Sequence, residues 1–90
     1  MKKHILKINL VYYLDVVYGN KKFELRKNDR NFQVNDYIHF INNRGENFFI
    51  KTNNLYRITY ILKNVPNYGL DIDYCILGIE EVKEWLLNLY

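Results

Sequence analysis

Hydrophobic and polar positions change period several times along the chain, and each change marks an element. Residues 3–8 alternate, with Ile5 set apart from the Leu6 and Ile8 pair, as a short opening strand does. Asn9 is placed to cap a helix over residues 10–18, because Leu10, Tyr13, Leu14, Val17 and Tyr18 recur at the three and four spacing of one helical face. Gly19 follows the last periodic residue and can close that helix in the left-handed conformation. A charged strand begins next. With Phe23 and Leu25 turned inward, Lys22, Glu24 and Arg26 would share the opposite face at period two.

Strand character returns over residues 37–41, and the turn signal Asn42, Asn43, Arg44, Gly45 predicts a hairpin to a strand over residues 48–52. Asn53 and Asn54 make a second turn. The longest strand covers residues 55–63, with Tyr56, Ile58, Tyr60 and Leu62 on one face. A loop over residues 64–73 holds Pro66 and Gly69, and residues 74–79 read as a buried last strand. Residues 80–89 are expected as a helix with the apolar stripe Val82, Trp85, Leu86, Leu89 and with Glu80 and Glu81 at the favourable end of its dipole. The order predicts one α+β domain over residues 1–90: a small curled barrel of about six strands, one helix after strand 1 and a C-terminal helix.

Composition supports that economy. A chain of 90 residues buries only about 60 to 65% of its unfolded surface, and nine Tyr, five Phe and one Trp supply bulk for so small a core. No apolar run approaches the length of a membrane span and no secretion leader is recognisable, so a soluble cytoplasmic protein is expected, with a monomer favoured. Cys75 lies in an apolar run and reads as a small hydrophobe. His4 and His39 are too isolated for a metal site, and no cofactor is expected.

Charge sharpens the picture. Residues 1–45 carry nine Lys or Arg against four Asp or Glu, a balance of +5, while residues 46–90 carry four against six, a balance of −2. Within residues 19–30, Lys21, Lys22, Arg26, Lys27 and Arg30 against Glu24 and Asp29 leave +3, equal to the net charge of the whole protein. The helix stop, turn and strand there would expose the Asn20 and Lys21 amides beside ammonium groups, a setting that favours an anion. Lys21 suits a phosphate contact or activation of a nucleophile, against a solvated turn lysine. Glu24 and Arg26 could bracket a ligand, against an ion-pair ladder with Lys22 and Asp29. Asp29 and Arg30 suit loop fixing as well as ligand contact. The tyrosines could stack bases, although Tyr56 and Tyr60 fit core and rim packing better.

The pattern Gly19-x-Lys21-x-x-Glu24-x-Arg26 resembles the signature of ASCH domains, in the PUA-like superfamily, and the run from Glu24 through Asp29 to Arg30 resembles the DUF3850 subgroup. His4-x-Leu6-Lys7-Ile8, Phe32-x-Val34-x-Asp36 and Ile58-Thr59-Tyr60-Ile61-Leu62 extend the likeness along the chain. The resemblance implies a PUA-like barrel with a cleft beside the glycine and lysine turn, binding RNA or a modified nucleotide through Lys7, Lys21, Lys22, Glu24, Arg26, Asp29 and Arg30. A hydrolase of modified nucleosides or RNA, with Lys21 and Glu24 as proton-transfer pair, is the second expectation. In the amidohydrolase branch the position of Glu24 holds a threonine nucleophile, which a carboxylate does not replace. A third is a phage or mobile-element module that binds a protein and blocks a host nucleic-acid machine. Against the subgroup pattern, Lys22 replaces threonine, Asn35 replaces glycine and Asn42 replaces glutamate; the second substitution suggests a different turn and the third removes a carboxylate.

Overall fold

A computed structural model describes residues 1–49 and 54–83. Five strands, β1 (Lys3–Lys7), β2 (Phe23–Lys27), β3 (Tyr37–Ile41), β4 (Tyr56–Leu62) and β5 (Tyr74–Glu81), form one sheet in the order β1-β3-β4-β5-β2. The β1 and β3 pair is parallel and the others antiparallel. Helix α1 (Leu10–Val17) follows β1, and a single 3-10 turn at Pro66–Tyr68 precedes β5. The sheet is curled, so its two edge strands approach each other. Arg26 of β2 donates to the Lys7 carbonyl of β1, and Arg30 donates to the Ile5 carbonyl at 2.9 Å. Ile5 and Lys7 point these carbonyls away from β3, because alternate residues of a strand bond to alternate sides. The half-barrel is thus bridged at its seam by arginine side chains where a closed barrel would have a backbone ladder.

Inside lie Leu6, Ile8, Ile38, Phe40, Ile58 and Leu77, with Tyr13 and Val16 of α1 pressed onto them. Tyr13 stacks on Phe48 at 3.9 Å between ring centroids and meets Phe40 edge-on. Cys75 is fully buried, as its apolar run predicts, and burial pushes its thiol pKa upward. The Asn9 side chain caps α1 by accepting from the Val11 amide at 2.9 Å. Gly19 ends the helix at a φ of 80°, and Asn31, Asn35, Asn54 and Asn64 also take positive φ, so the asparagine-rich turns are left-handed corners. Asn35, at a φ of 78°, takes a left-handed conformation that glycine also adopts readily.

Several expectations are corrected. The sheet has five strands among the described residues, against about six. The turn after β3 forms, with Gly45 at a φ of 82° and Asn42 accepting from the Arg44 and Glu46 amides, but Phe48 and Phe49 are not in a strand; residues 50–52 of the expected partner lie outside the described residues. The expected C-terminal helix starts inside β5, which runs through Glu81, and the Val82 amide donates to the Leu55 carbonyl; residues 84–89 lie outside the described residues. On α1 the buried residues are Tyr13 and Val16, while Leu10 and Tyr18 are exposed. A bulge in β4 between Ile58 and Tyr60 breaks the period of two, so Tyr60 leaves the face of Tyr56 and Ile58 and turns to solvent.

The largest correction concerns β2. Glu24 is buried and Phe23 and Leu25 are about half exposed, the reverse of the expected orientation. Register explains it: Glu24 lies opposite Leu77 and Arg26 opposite Cys75, and both β5 partners face the core. Directly opposed residues share a face, so the continuous apolar run of β5 fixes which side of β2 points inward.

Candidate functional site

Glu24 occupies the inner face of β2 near the seam, and its two carboxylate oxygens hold two cations. Lys21 Nζ donates to Oε1 at 2.7 Å, and Arg26 donates to Oε2 at 3.0 Å. Removing a carboxylate from water is unfavourable unless it is paired and hydrogen-bonded, and here both oxygens are satisfied. Lys21 also donates to the Phe23 carbonyl at 2.8 Å and stands 5.0 Å from the Phe23 ring centroid and 5.9 Å from that of Tyr12. Arg26 bridges outward to the Lys7 carbonyl, while its Nε is buried with no hydrogen-bond partner. Two cations around one anion leave the cluster with a formal charge of +1.

The turn that delivers Lys21 differs from expectation. The Asn20 and Lys21 amides donate to the Asp15 carbonyl at 2.9 and 3.0 Å, so these amides close the helix and are not open to an anion. Lys22 is exposed and its carbonyl accepts from the Ile79 amide at 3.0 Å. Beside it, an open cleft of about 520 Å³ is lined by Gly19, Lys21, Lys22, Thr59, Glu80 and Glu81 among others, a lining of both signs.

The structure brings together Lys21, Glu24, Arg26 and the backbone of Lys7, and it sets the other expected residues apart. Lys7 contributes its carbonyl, with the residue itself exposed. Asp29 is exposed, with Arg30 Nε 4.0 Å away and no ion pair to Arg26, and Lys22 is not the ion-pair partner of Glu24. The expected ladder is replaced by the Lys21, Glu24, Arg26 clamp. Asn42, where a carboxylate was expected from the subgroup pattern, serves the turn after β3.

Sequence reasoning missed a second buried carboxylate. Asp36 accepts from His4 Nε2 at 2.8 Å and from the Lys2 and Gln33 amides at 3.1 Å each. Burial alone would raise its pKa, but the His4 hydrogen bond, the two amides and the His4 charge outweigh that and hold it below the ordinary 3.8. The motif ending at Asp36 and the alternation around His4 were both visible, but the parallel register that joins them was not. Asn54 was read only as a turn residue. Its side-chain amide donates to the Phe40 carbonyl at 2.8 Å, extending the short β3 and β4 ladder with a side chain. His39 lies between the Asn54 carbonyl and the Asn47 side chain, and among the described residues no group of three or more His, Cys, Asp or Glu is placed to hold a metal ion.

Fold and site together define a small α+β domain on a curled five-stranded sheet, with a buried carboxylate clamped by two cations where its edges meet. The chain belongs to the family described as a domain of unknown function, DUF3850, whose profile matches residues 3–79. That span covers the sheet from β1 to Ile79 of β5 and includes the whole clamp. No curated protein matches the chain.

Proposed function

We propose that this domain binds single-stranded RNA, or a nucleotide, along the seam between β1 and β2, as a member of the ASCH branch of PUA-like domains. One observation carries the reading. Curling of the sheet draws two edge strands together, so that Lys3 and Lys7 of β1 join Lys21, Lys22, Arg26, Lys27 and Arg30 around β2. Glu24 and Asp29 stand within this strip and Glu80 and Glu81 line the cleft at its Lys21 and Lys22 end, so the excess of positive charge lies toward Lys7, Lys27 and Arg30. A polyanion gains from such a strip by releasing its counterions, and arginines already held by backbone carbonyls lose little side-chain freedom on contact.

Binding fits this geometry better than bond cleavage does. Both Glu24 oxygens are occupied and the residue is 5% exposed, so it is poorly placed to accept a proton from a substrate. Titration of a short fluorescent single-stranded RNA by anisotropy, at low and moderate salt, tests the proposal. Affinity should fall steeply as salt rises, and Arg30→Ala should make the slope shallower by about 0.7, the contribution of one phosphate contact on a single strand. Absence of binding at both salt concentrations would overturn it.

A further inference from the structure

The outer face of the sheet carries an aromatic slot that starts on β2 and runs away from the seam across β5 to β4. Gly78 of β5 lies opposite Phe23 of β2 on one side and Tyr60 of β4 on the other. Phe23 is 47% and Tyr60 63% exposed, so both rings reach solvent on the same face of the sheet. Adjacent strands lie about 4.8 Å apart, so the backbones that carry these rings are roughly 10 Å apart, with the Gly78 backbone and the Thr59 hydroxyl as the floor between them. Two gaps like the 3.9 Å between the stacked Tyr13 and Phe48 rings make about 8 Å, so rings that lean slightly toward each other from these backbones would hold a third planar ring between them.

The low floor is enforced by the fold. A Cβ at Gly78 would come within 2.9 Å of Thr59 Oγ1 and 3.3 Å of Tyr60 Cβ, because the β4 bulge crowds this point. The bulge therefore both turns Tyr60 outward and sets the Thr59 hydroxyl beside the Gly78 position, which no larger residue could share. Cations flank the slot along β2. Lys21 Nζ stands 5.0 Å from the Phe23 ring centroid, and Lys27 lies opposite the partly exposed Tyr74 at the other end of the strand. Glu80, the nearest acidic residue along β5, is held by Arg57, whose Nε donates to it at 3.1 Å.

We propose that this slot is a base-stacking subsite, in which Phe23 and Tyr60 take one unstacked base of single-stranded RNA while Lys21 and Lys27 meet the phosphates on either side. The occupant follows from charge: a planar apolar face joined to anions on both sides is complementary to two rings between two cations. The inference rests on the RNA reading above and adds a contact which that reading does not require, since the seam engages phosphates alone.

The test compares a labelled oligoadenylate with an abasic phosphodiester of equal length, using anisotropy at fixed salt. The wild-type protein should bind the oligoadenylate roughly 5- to 150-fold tighter, the range for one stacked base. Tyr60→Leu should abolish that preference, Tyr60→Phe should keep it, and neither should change the salt slope. Both substitutions retain bulk at an exposed position, so folding is preserved. Equal affinity of wild type for the two oligomers, or an unchanged preference in Tyr60→Leu, would overturn the subsite and leave the RNA reading standing. No binding of either oligomer would overturn both. Light scattering supplies a further outcome: a mass of twice 11.0 kDa for wild type that falls to one in Tyr60→Leu would assign the face to a second copy of the chain and overturn the subsite.

Discussion

Asp36 and Glu24 are both buried carboxylates, but the groups that hold them differ in kind. Asp36 accepts from two backbone amides and from His4, which is itself buried against the Phe32 ring at 4.7 Å between centroids. Its partners are fixed by the fold. Glu24 is held by the tips of two long side chains, Lys21 and Arg26, whose own side chains are 16% and 23% exposed. Those tips can move without unfolding the strand. One carboxylate locks the segment before β3 to β1; the other keeps a pair of cations at the surface in reserve.

Removing the lock should have the largest effect. Asp36→Ala leaves His4 and two amides without their acceptor, and a loss of about 3–5 kcal/mol in urea unfolding is expected. The same carboxylate sets an acid limb. Its folded pKa is depressed, so its contribution is complete above the ordinary 3.8 and disappears as pH falls through the lower folded value. Wild-type stability should therefore decline in that window, and in Asp36→Asn the decline should be shallower. Equal slopes would remove Asp36 from the account of acid sensitivity.

Opening the clamp should cost less and change binding instead. Glu24→Gln retains a hydrogen-bonding side chain between Lys21 and Arg26 but removes the charge that occupies them, for a loss of about 1–3 kcal/mol. RNA affinity should rise and its salt dependence steepen, because both cations become available to phosphate. A fall in affinity, with the fold intact by circular dichroism, would mean that Glu24 contacts the ligand directly. The smallest change is expected at the turn beside the lock. Asn35→Gly preserves a position at a φ of 78° and loses only the acceptor for Arg57, so unfolding should move by less than about 1 kcal/mol.

Much of this fold is legible in the sequence, and the failures have a common cause. β1, α1, β3 and β4 fall within a residue or two of their expected bounds, because period, capping by Asn9 and the stop at Gly19 are local signals. The face of β2 was not legible. Phe23 and Leu25 alternate as inward residues do, and only pairing with β5, about 50 residues away, turns them outward. The bulge that exposes Tyr60 is likewise a property of two strands together. Lys21, Glu24 and Arg26 were found from their spacing, but their mutual contact depends on that same inversion. The His4 and Asp36 pair needed the parallel register of β1 and β3. Sequence patterns name which residues are chemically loaded, whereas long-range register decides which of them meet.

The position of β2 at the edge of the sheet also orders events in time. Its backbone ladder is made with β5 alone, from Phe23 opposite Gly78 to Lys27 opposite Tyr74, so the strand has no sheet partner until residues 74–78 are available. β1 and β3, by contrast, can pair once residue 41 has been reached. Loop closure over so long a separation costs more entropy than the closure that brings β1 to β3, so pairing of β2 is expected after that of β1 and β3. A nascent chain would therefore carry its most basic segment without a strand partner until residues 74–78 have been made.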